Sequence, residues 1–220
     1  VDLVGGDTTS SLTGLTISIT AIGECEPENL VYRSGAQKND LICVTGDLGG
    51  AYMGLQLLER ENEVFKVNKN TQPQFDGKDY ILGRQLKPEA RTDMRNIFSE
   101  LKIKPTSMID ISDGLSSEVM HICKQSQVGA KIFEEKIPMD EQTKNMALEL
   151  NINPLVAALN GGEDYELLFT VPVSDYDKVK NHPDITIIGH IADAAEGTAL
   201  VTGAGSEIEL MAQGWNPLKE

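Results

Sequence analysis

The last third of the chain sets the tightest limit on what it can fold into. Four short runs between Tyr165 and Ala212, YELLFTVPV, ITIIGHI, TALVTG and SEIELMA, have strand length and strand composition. Between them only Ser174–Lys180 reads as a helix. Upstream, Leu41–Thr45 reads as a strand that meets a Gly-rich turn and then a helix with Ala51, Leu55 and Leu58 at i, i+4 and i+7. RTDMRNIFSELKI looks helical, and SMIDISDGLSSEVMHICKQS reads as a short strand running into a helix whose apolar positions are Leu115, Val119 and Ile122. Pro154 can open a short helix that ends at Gly161. Residues 61–79 are polar and read as a long loop or helix edges. Helices mixed with several neighbouring strands indicate an α+β fold.

Residues 1–35 read differently. LTISITAIGE alternates, with Leu15, Ile17 and Ile19 on one side and Thr16, Ser18 and Thr20 on the other, so two strands joined by a turn are expected. A boundary near Ser34–Lys38 divides the chain into 1–35 and 36–220. The opening VDLVGGDTTSS has the character of a domain's middle, not its beginning.

The formal charge is −15, from 34 acidic and 19 basic side chains. Such a surface repels nucleic acid and anionic membrane faces, so neither is expected as a partner. An anionic nucleotide would need Mg²⁺, a local basic residue, or both. No apolar run is long enough to span a membrane, and the first residues lack the pattern of a secretory leader. Cys25, Cys43 and Cys123 have no CxxC spacing and read as thiols in a reducing compartment, so a cytoplasmic location is expected.

Three Gly/Asp corners can carry chemistry. Gly5-Gly6-Asp7-Thr8-Thr9 is either an ordinary turn or a place where glycine amides approach a phosphate and Asp7 holds a metal ion. In Asp110-Ile111-Ser112-Asp113-Gly114, Ser112 or Asp113 can simply cap the following helix. A cap needs only one of them, however, and three polar side chains at a helix N-terminus also fit a metal–phosphate site. Gly161-Gly162-Glu163-Asp164-Tyr165-Glu166 is either a turn before an edge strand or a carboxylate presented to a cationic ligand. Val44-Thr45-Gly46-Asp47-Leu48-Gly49-Gly50 also leads from strand to helix, but lacks the P-loop Lys-Ser/Thr and GxGxxG, so packing is its simpler reading. His121, His182 and His190 have no metal-ligand spacing, and no residue is assigned as a catalytic acid or base.

In order along the chain, VGGDTTSS, ISITAIGE, RSGA, DLICVTGDLGG, MIDISDGLSSE, GGEDYELLFTVP and the closing Gly214-Trp215 resemble the thiamine-monophosphate kinases. These belong to the aminoimidazole-ribonucleotide-synthetase-like ATP-binding enzymes. The resemblance implies a mixed or antiparallel sheet with helices packed on it, preceded by a remnant of an N-terminal sheet domain. It implies Mg²⁺-dependent, in-line transfer of the γ-phosphoryl group of ATP to thiamine monophosphate, giving thiamine diphosphate. Position by position it makes Gly6 a nucleotide contact, Asp7 both a nucleotide contact and a Mg²⁺ ligand, and Arg33 and Ser112 ATP contacts. Asp110 and Asp113 become Mg²⁺ ligands, and Glu163 and Trp215 contacts to thiamine phosphate.

The family pattern departs from this chain upstream. There GGDT is preceded by an Asp-Asp segment and a VDT-type segment that add metal ligands and a substrate contact. The chain is therefore expected to be a C-terminal portion of a longer kinase, inactive by itself and without most of the interface through which the family dimerises. LKPEAR at Leu86–Arg91 departs from a Pro-x-Pro-Arg sequence and reads as a loop before a helix. Two alternatives stand beside the kinase: another ATP-using synthetase of the same superfamily, and a non-catalytic nucleotide-binding domain.

Overall fold

A computed structural model describes residues 2–12 and 14–212. The chain divides into two units, Val1–Leu30 and Val31–Glu220. Residues 31–35 therefore belong with the second unit, where the Met108 N–H donates to the Tyr32 carbonyl at 2.9 Å.

The described residues of the first unit contain one 3-10 turn, Pro27–Asn29, and no strand. The two strands that the alternation predicts are not formed. Leu15, Ile17 and Ile19 are 89%, 73% and 87% exposed. Alternation assigns each side chain to a face of a ribbon. It supplies neither a partner ladder nor an apolar surface to cover that face, and an unsupported ribbon is marginal in water.

The second unit is built on a seven-stranded sheet. Its strands are β1 (Leu41–Thr45), β2 (Ser107–Asp110), β3 (Gly129–Phe133), β4 (Leu167–Val171), β5 (Ile185–Ala192), β6 (Thr198–Val201) and β7 (Glu207–Glu209), in the order β2-β4-β1-β5-β3-β6-β7. All pairs are antiparallel except β3 with β6. The helices are α1 (Gly50–Val67), α2 (Asp79–Leu86), α3 (Met94–Leu101), α4 (Leu115–Ser126), α5 (Glu141–Glu149), α6 (Pro154–Asn160) and α7 (Tyr176–Val179).

Alternation along the central strands divides the core. Ile42 and Val44 of β1, Ile109 of β2 and Leu168 of β4 pack with Leu115, Val119 and Ile122 of α4. From the same strands Cys43, Phe169 and Val171 pack with Met94, Ile97 and Phe98 of α3. Phe98 meets Phe169 edge to face at 5.1 Å between centroids. β4 lies between β2 and β1, so the GGEDYE segment enters an interior strand, not an edge.

Helix α1 extends to Val67, into the first part of the region 61–79 that reads as loop in the sequence. Its buried stripe is Ala51, Met53, Gly54 and Leu57, while Leu55 and Leu58 are only half-buried. The stripe is rotated because α1 packs on α2 and α5, through Ile81, Met146 and Ala147. Gly54 lets α1 lie directly against α2: the Ile81 carbonyl occupies the space a Cβ would need. Cys43 and Cys123 are buried and Cys25 is exposed. Burial pushes the Cys43 thiol up to about 12.

Candidate active site

β2 ends at Asp110 and α4 begins at Leu115, so residues 110–114 form a strand-to-helix corner. The chain does not cap α4 there with a side chain: Gly114 takes the capping position at φ +106°. Glycine is required because a Cβ would stand 2.7 Å from the Leu159 carbonyl oxygen. Ser112 and Asp113 thus do not act as helix caps.

GGEDYE is laid directly against this corner. Beyond the β2–β4 ladder, Ile111 N–H donates to the Glu166 carbonyl at 2.8 Å, Tyr165 N–H to the Ile111 carbonyl at 2.9 Å, and Glu163 N–H to the Ser112 carbonyl at 2.8 Å. Two of the predicted motifs, far apart in sequence, therefore share one backbone seam. The fit is tight, since a Cβ on Gly162 would lie 2.5 Å from the Ser112 carbonyl oxygen. Glu163 and Tyr165 both sit in the left-handed region, at φ +61° and +52°. Such residues cost of order 1–3 kcal/mol each and persist where surrounding contacts fix them.

The segment sends its side chains two ways. Glu163 is exposed, and its Oε2 accepts from the Tyr165 hydroxyl at 3.1 Å. Asp110 and Asp113 are also exposed, and among the described residues no side-chain hydrogen bond or ion pair engages either carboxylate. Burial, the bond to Glu163 and the neighbouring charges of Glu163, Asp110 and Asp113 all raise the Tyr165 hydroxyl. Behind the corner, Glu118 is 1% exposed, and burial pushes its carboxyl up to about 7, with Asp113 and Asp110 adding to the effect.

Asp164 and Glu166 go the other way, into the protein. Asp164 Oδ2 accepts from Gly49 N–H at 2.8 Å and Oδ1 from Ala51 N–H at 3.4 Å, so it caps α1. Burial pushes its carboxyl up to about 6, against these bonds and Arg84. The Gly-rich turn before α1 is thus filled by the chain's own carboxylate. Glu166 receives Arg84 at 3.0 Å, Arg91 at 2.8 Å and the Thr45 hydroxyl at 2.5 Å. Tyr80 donates to Asp47 at 2.5 Å. A cleft of about 410 Å³ opens beside this network, lined in part by Tyr80, Arg84, Lys87 and Arg91. The sequence reading did not single out Arg84, Arg91 or Glu118. Arg91 lies in the LKPEAR loop, and only its distance from a buried acid gives it a role.

Arg33 is exposed and follows Tyr32, whose carbonyl accepts the Met108 N–H of β2 at 2.9 Å. Gly6 and Asp7 are exposed in the first unit, where Asp7 Oδ1 accepts the Thr8 N–H at 2.9 Å. Trp215 lies outside the described residues. Among the described residues no group of three or more His, Cys, Asp or Glu side chains is placed to hold a metal ion. Asp110 and Asp113 are two exposed oxygen donors that no described residue neutralises, and a divalent cation there would need further oxygens from a ligand such as a phosphate. No described helix is long and apolar enough to cross a membrane.

No family model matches the chain. Individual proteins do. It is 32% identical to the thiamine-monophosphate kinase of Bacillus subtilis over 224 aligned residues, covering 100% of this chain and 65% of that protein. It is 34% identical to the thiamine-monophosphate kinase of Pyrococcus horikoshii, covering 100% of this chain and 62% of the relative. Among solved structures, AaThiL complexed with AMPPCP and TMP superposes with a TM-score of 0.68 at 32% identity, over 86% of this chain and 54% of that one. Escherichia coli HypE, a hydrogenase maturation protein, shares the fold at 18% identity, with a TM-score of 0.58 over 86% of this chain and 54% of that one. The chain spans less than two thirds of the length of these relatives. Over that span it is a homologue of the thiamine-monophosphate kinases and has the α+β fold of the aminoimidazole-ribonucleotide-synthetase-like proteins.

Proposed function

We propose that this chain is part of an enzyme that transfers the γ-phosphoryl group of ATP to thiamine monophosphate. An oxygen of the acceptor's phosphate bonds to the γ-phosphorus as the bond to the β–γ bridging oxygen breaks, yielding thiamine diphosphate and ADP. The observation that carries the reading is the seam that brings Asp110, Ser112 and Asp113 beside Glu163. Similarity to kinases of this name, and to a relative solved with AMPPCP and TMP, supports it.

In this reading Asp110 and Asp113 would hold Mg²⁺, which when bound screens the phosphates of ATP and acceptor from each other and from the acidic protein. Ser112 hydrogen-bonds the nucleotide, and the uncapped end of α4 favours an anion over it. Arg33 adds the positive charge a phosphate requires. Gly6 and Asp7 are assigned to the nucleotide as well, and Trp215 to the thiamine ring, by resemblance. Glu163, held by Tyr165, offers its charge to the cationic thiazolium. No side chain need act as acid or base, since phosphoryl transfer rests on positioning and charge neutralisation. A cytoplasmic setting and a dimer of the longer enzyme belong to the same proposal.

The test is binding of AMPPCP and of thiamine monophosphate to this chain with Mg²⁺, followed by turnover. The D110N/D113N variant is expected to lose AMPPCP, and Glu163→Gln to lose thiamine monophosphate while keeping AMPPCP. If AMPPCP binds all three chains alike, the corner is not the nucleotide site and the proposal falls.

A further inference from the structure

We infer that Glu118 is a positioning residue that sets the cation-binding geometry of the Asp110–Asp113 corner. The inference rests on the assignment of Asp110 and Asp113 as Mg²⁺ ligands. Glu118 lies in the first turn of α4, and its Oε1 accepts the Asp113 N–H at 3.2 Å. It touches no ligand position itself.

Three observations separate this role from ordinary helix capping. The bond goes to the residue that precedes the capping glycine, so it fixes the chain outside the helix, where Asp113 stands. Glu118 is 1% exposed, and its Oε2 is buried with no hydrogen-bond partner among the described residues. A carboxyl held in this way is costly, and burying an apolar residue would be the cheaper way to anchor α4. Third, Ser116 and Ser117 are buried beside it, at 1% and 8%, so the turn that bears it is enclosed on all sides and keeps the side chain in one place. Asp113 is exposed and has no other hydrogen bond from its backbone N–H to a side chain, which leaves Glu118 to choose where its carboxylate stands relative to Asp110.

Residues that orient metal ligands change metal affinity by about 10- to 100-fold when removed. The experiment is titration of the full chain with Mn²⁺ in the presence of AMPPCP, read by the electron paramagnetic resonance signal of free Mn²⁺, with melting temperature recorded in parallel. Glu118→Ala is expected to weaken Mn²⁺ at least about tenfold. Glu118→Gln keeps a carbonyl oxygen for the Asp113 N–H and is expected to stay within about threefold of the parent. Val119→Ala, which removes buried volume from the same helix, lowers the melting temperature and leaves Mn²⁺ affinity unchanged. Parent-like affinity in Glu118→Ala overturns the inference. So does equal loss in Glu118→Ala and Glu118→Gln, or equal loss in Val119→Ala. If D110N/D113N binds Mn²⁺ as the parent does, the assignment of the corner itself is wrong, and that result is distinct from a failure of Glu118 alone.

Discussion

Helices α1 and α4 begin in the same way and end up with opposite properties. Each follows a strand of four or five residues, then a turn containing Gly and Asp, and each has a glycine at the capping position with positive φ. At α1 the first amides are taken by Asp164, a buried carboxylate from elsewhere in the chain. At α4 no described side chain caps the end, and two exposed carboxylates stand beside it without partners among the described residues. The local sequences do not explain the contrast. One third segment does: GGEDYE passes between the two helices and divides its polar residues, Asp164 and Glu166 toward α1 and the arginines, Glu163 and Tyr165 toward the corner before α4. A strand-to-helix turn is therefore filled by the chain's own carboxylate or left open according to what a distant segment places in it.

The comparison can be broken at its buried side with the largest effect. Glu166→Ala removes the acid that Arg84 and Arg91 share, leaving them Asp164 and Asp93, and is expected to lower unfolding free energy by about 1.5–3 kcal/mol in a denaturant titration. At the open side, D110N/D113N removes charges that the fold does not use. Its AMPPCP affinity in Mg²⁺ is expected to fall about 10- to 100-fold by calorimetry, while stability stays within about 0.5 kcal/mol. Equal stability losses in these two variants would mean that the two helix ends are not divided as described.

Asp164→Ala converts the first kind of end into the second. The cost is about 1–3 kcal/mol, and sulfate at matched ionic strength is expected to raise the melting temperature of this variant more than that of the parent. The pH dependence gives a gentler test. Asp164 titrates near 6 when folded and near 3.8 when unfolded, so between those values the folded state holds the extra proton. Its contribution to stability is full below about 4 and is lost as pH rises through 6, with a slope of at most about 1.4 kcal/mol per pH unit. The parent minus Asp164→Asn difference should show that slope, and a difference with the opposite sign would refute the assignment. The smallest effect is expected from Tyr165→Phe, which loses one exposed bond to Glu163. Thiamine monophosphate should bind more weakly by about 0.5–1.5 kcal/mol with AMPPCP unaffected.

Periodicity and turn chemistry make most of the sheet legible in the sequence. β1, β2 and β4 to β7 are marked by short apolar runs, and α4 by Leu115, Val119 and Ile122. β3 is hidden because its five residues include a buried Lys131, paired with Glu207. α2 is hidden because Asp79–Leu86 has one fully buried side chain and a glycine in its middle. The alternating run Leu15–Ile19 errs the other way, since its pattern describes a strand whose partner the described chain does not supply. At the site, Asp110, Ser112, Asp113 and Glu163 are legible from their turns. Arg84, Arg91 and Glu118 are not, because their importance lies in contacts with Glu166 and with a backbone amide that no local pattern announces. Relative placement of Gly6 and Asp7 depends on tertiary structure of the first unit, about which spacing is silent.

The three thiols give the two units separate clocks. Cys25 is exposed in the first unit, whereas Cys43 and Cys123 are sealed in the second on opposite sides of the sheet core. An alkylating reagent should consume one equivalent at the rate of a free thiol. The remaining two should react only as fast as the sheet opens, since the reagent reaches them only in the opened state. Labelling time courses thereby read the opening of the folded body directly, without an added probe.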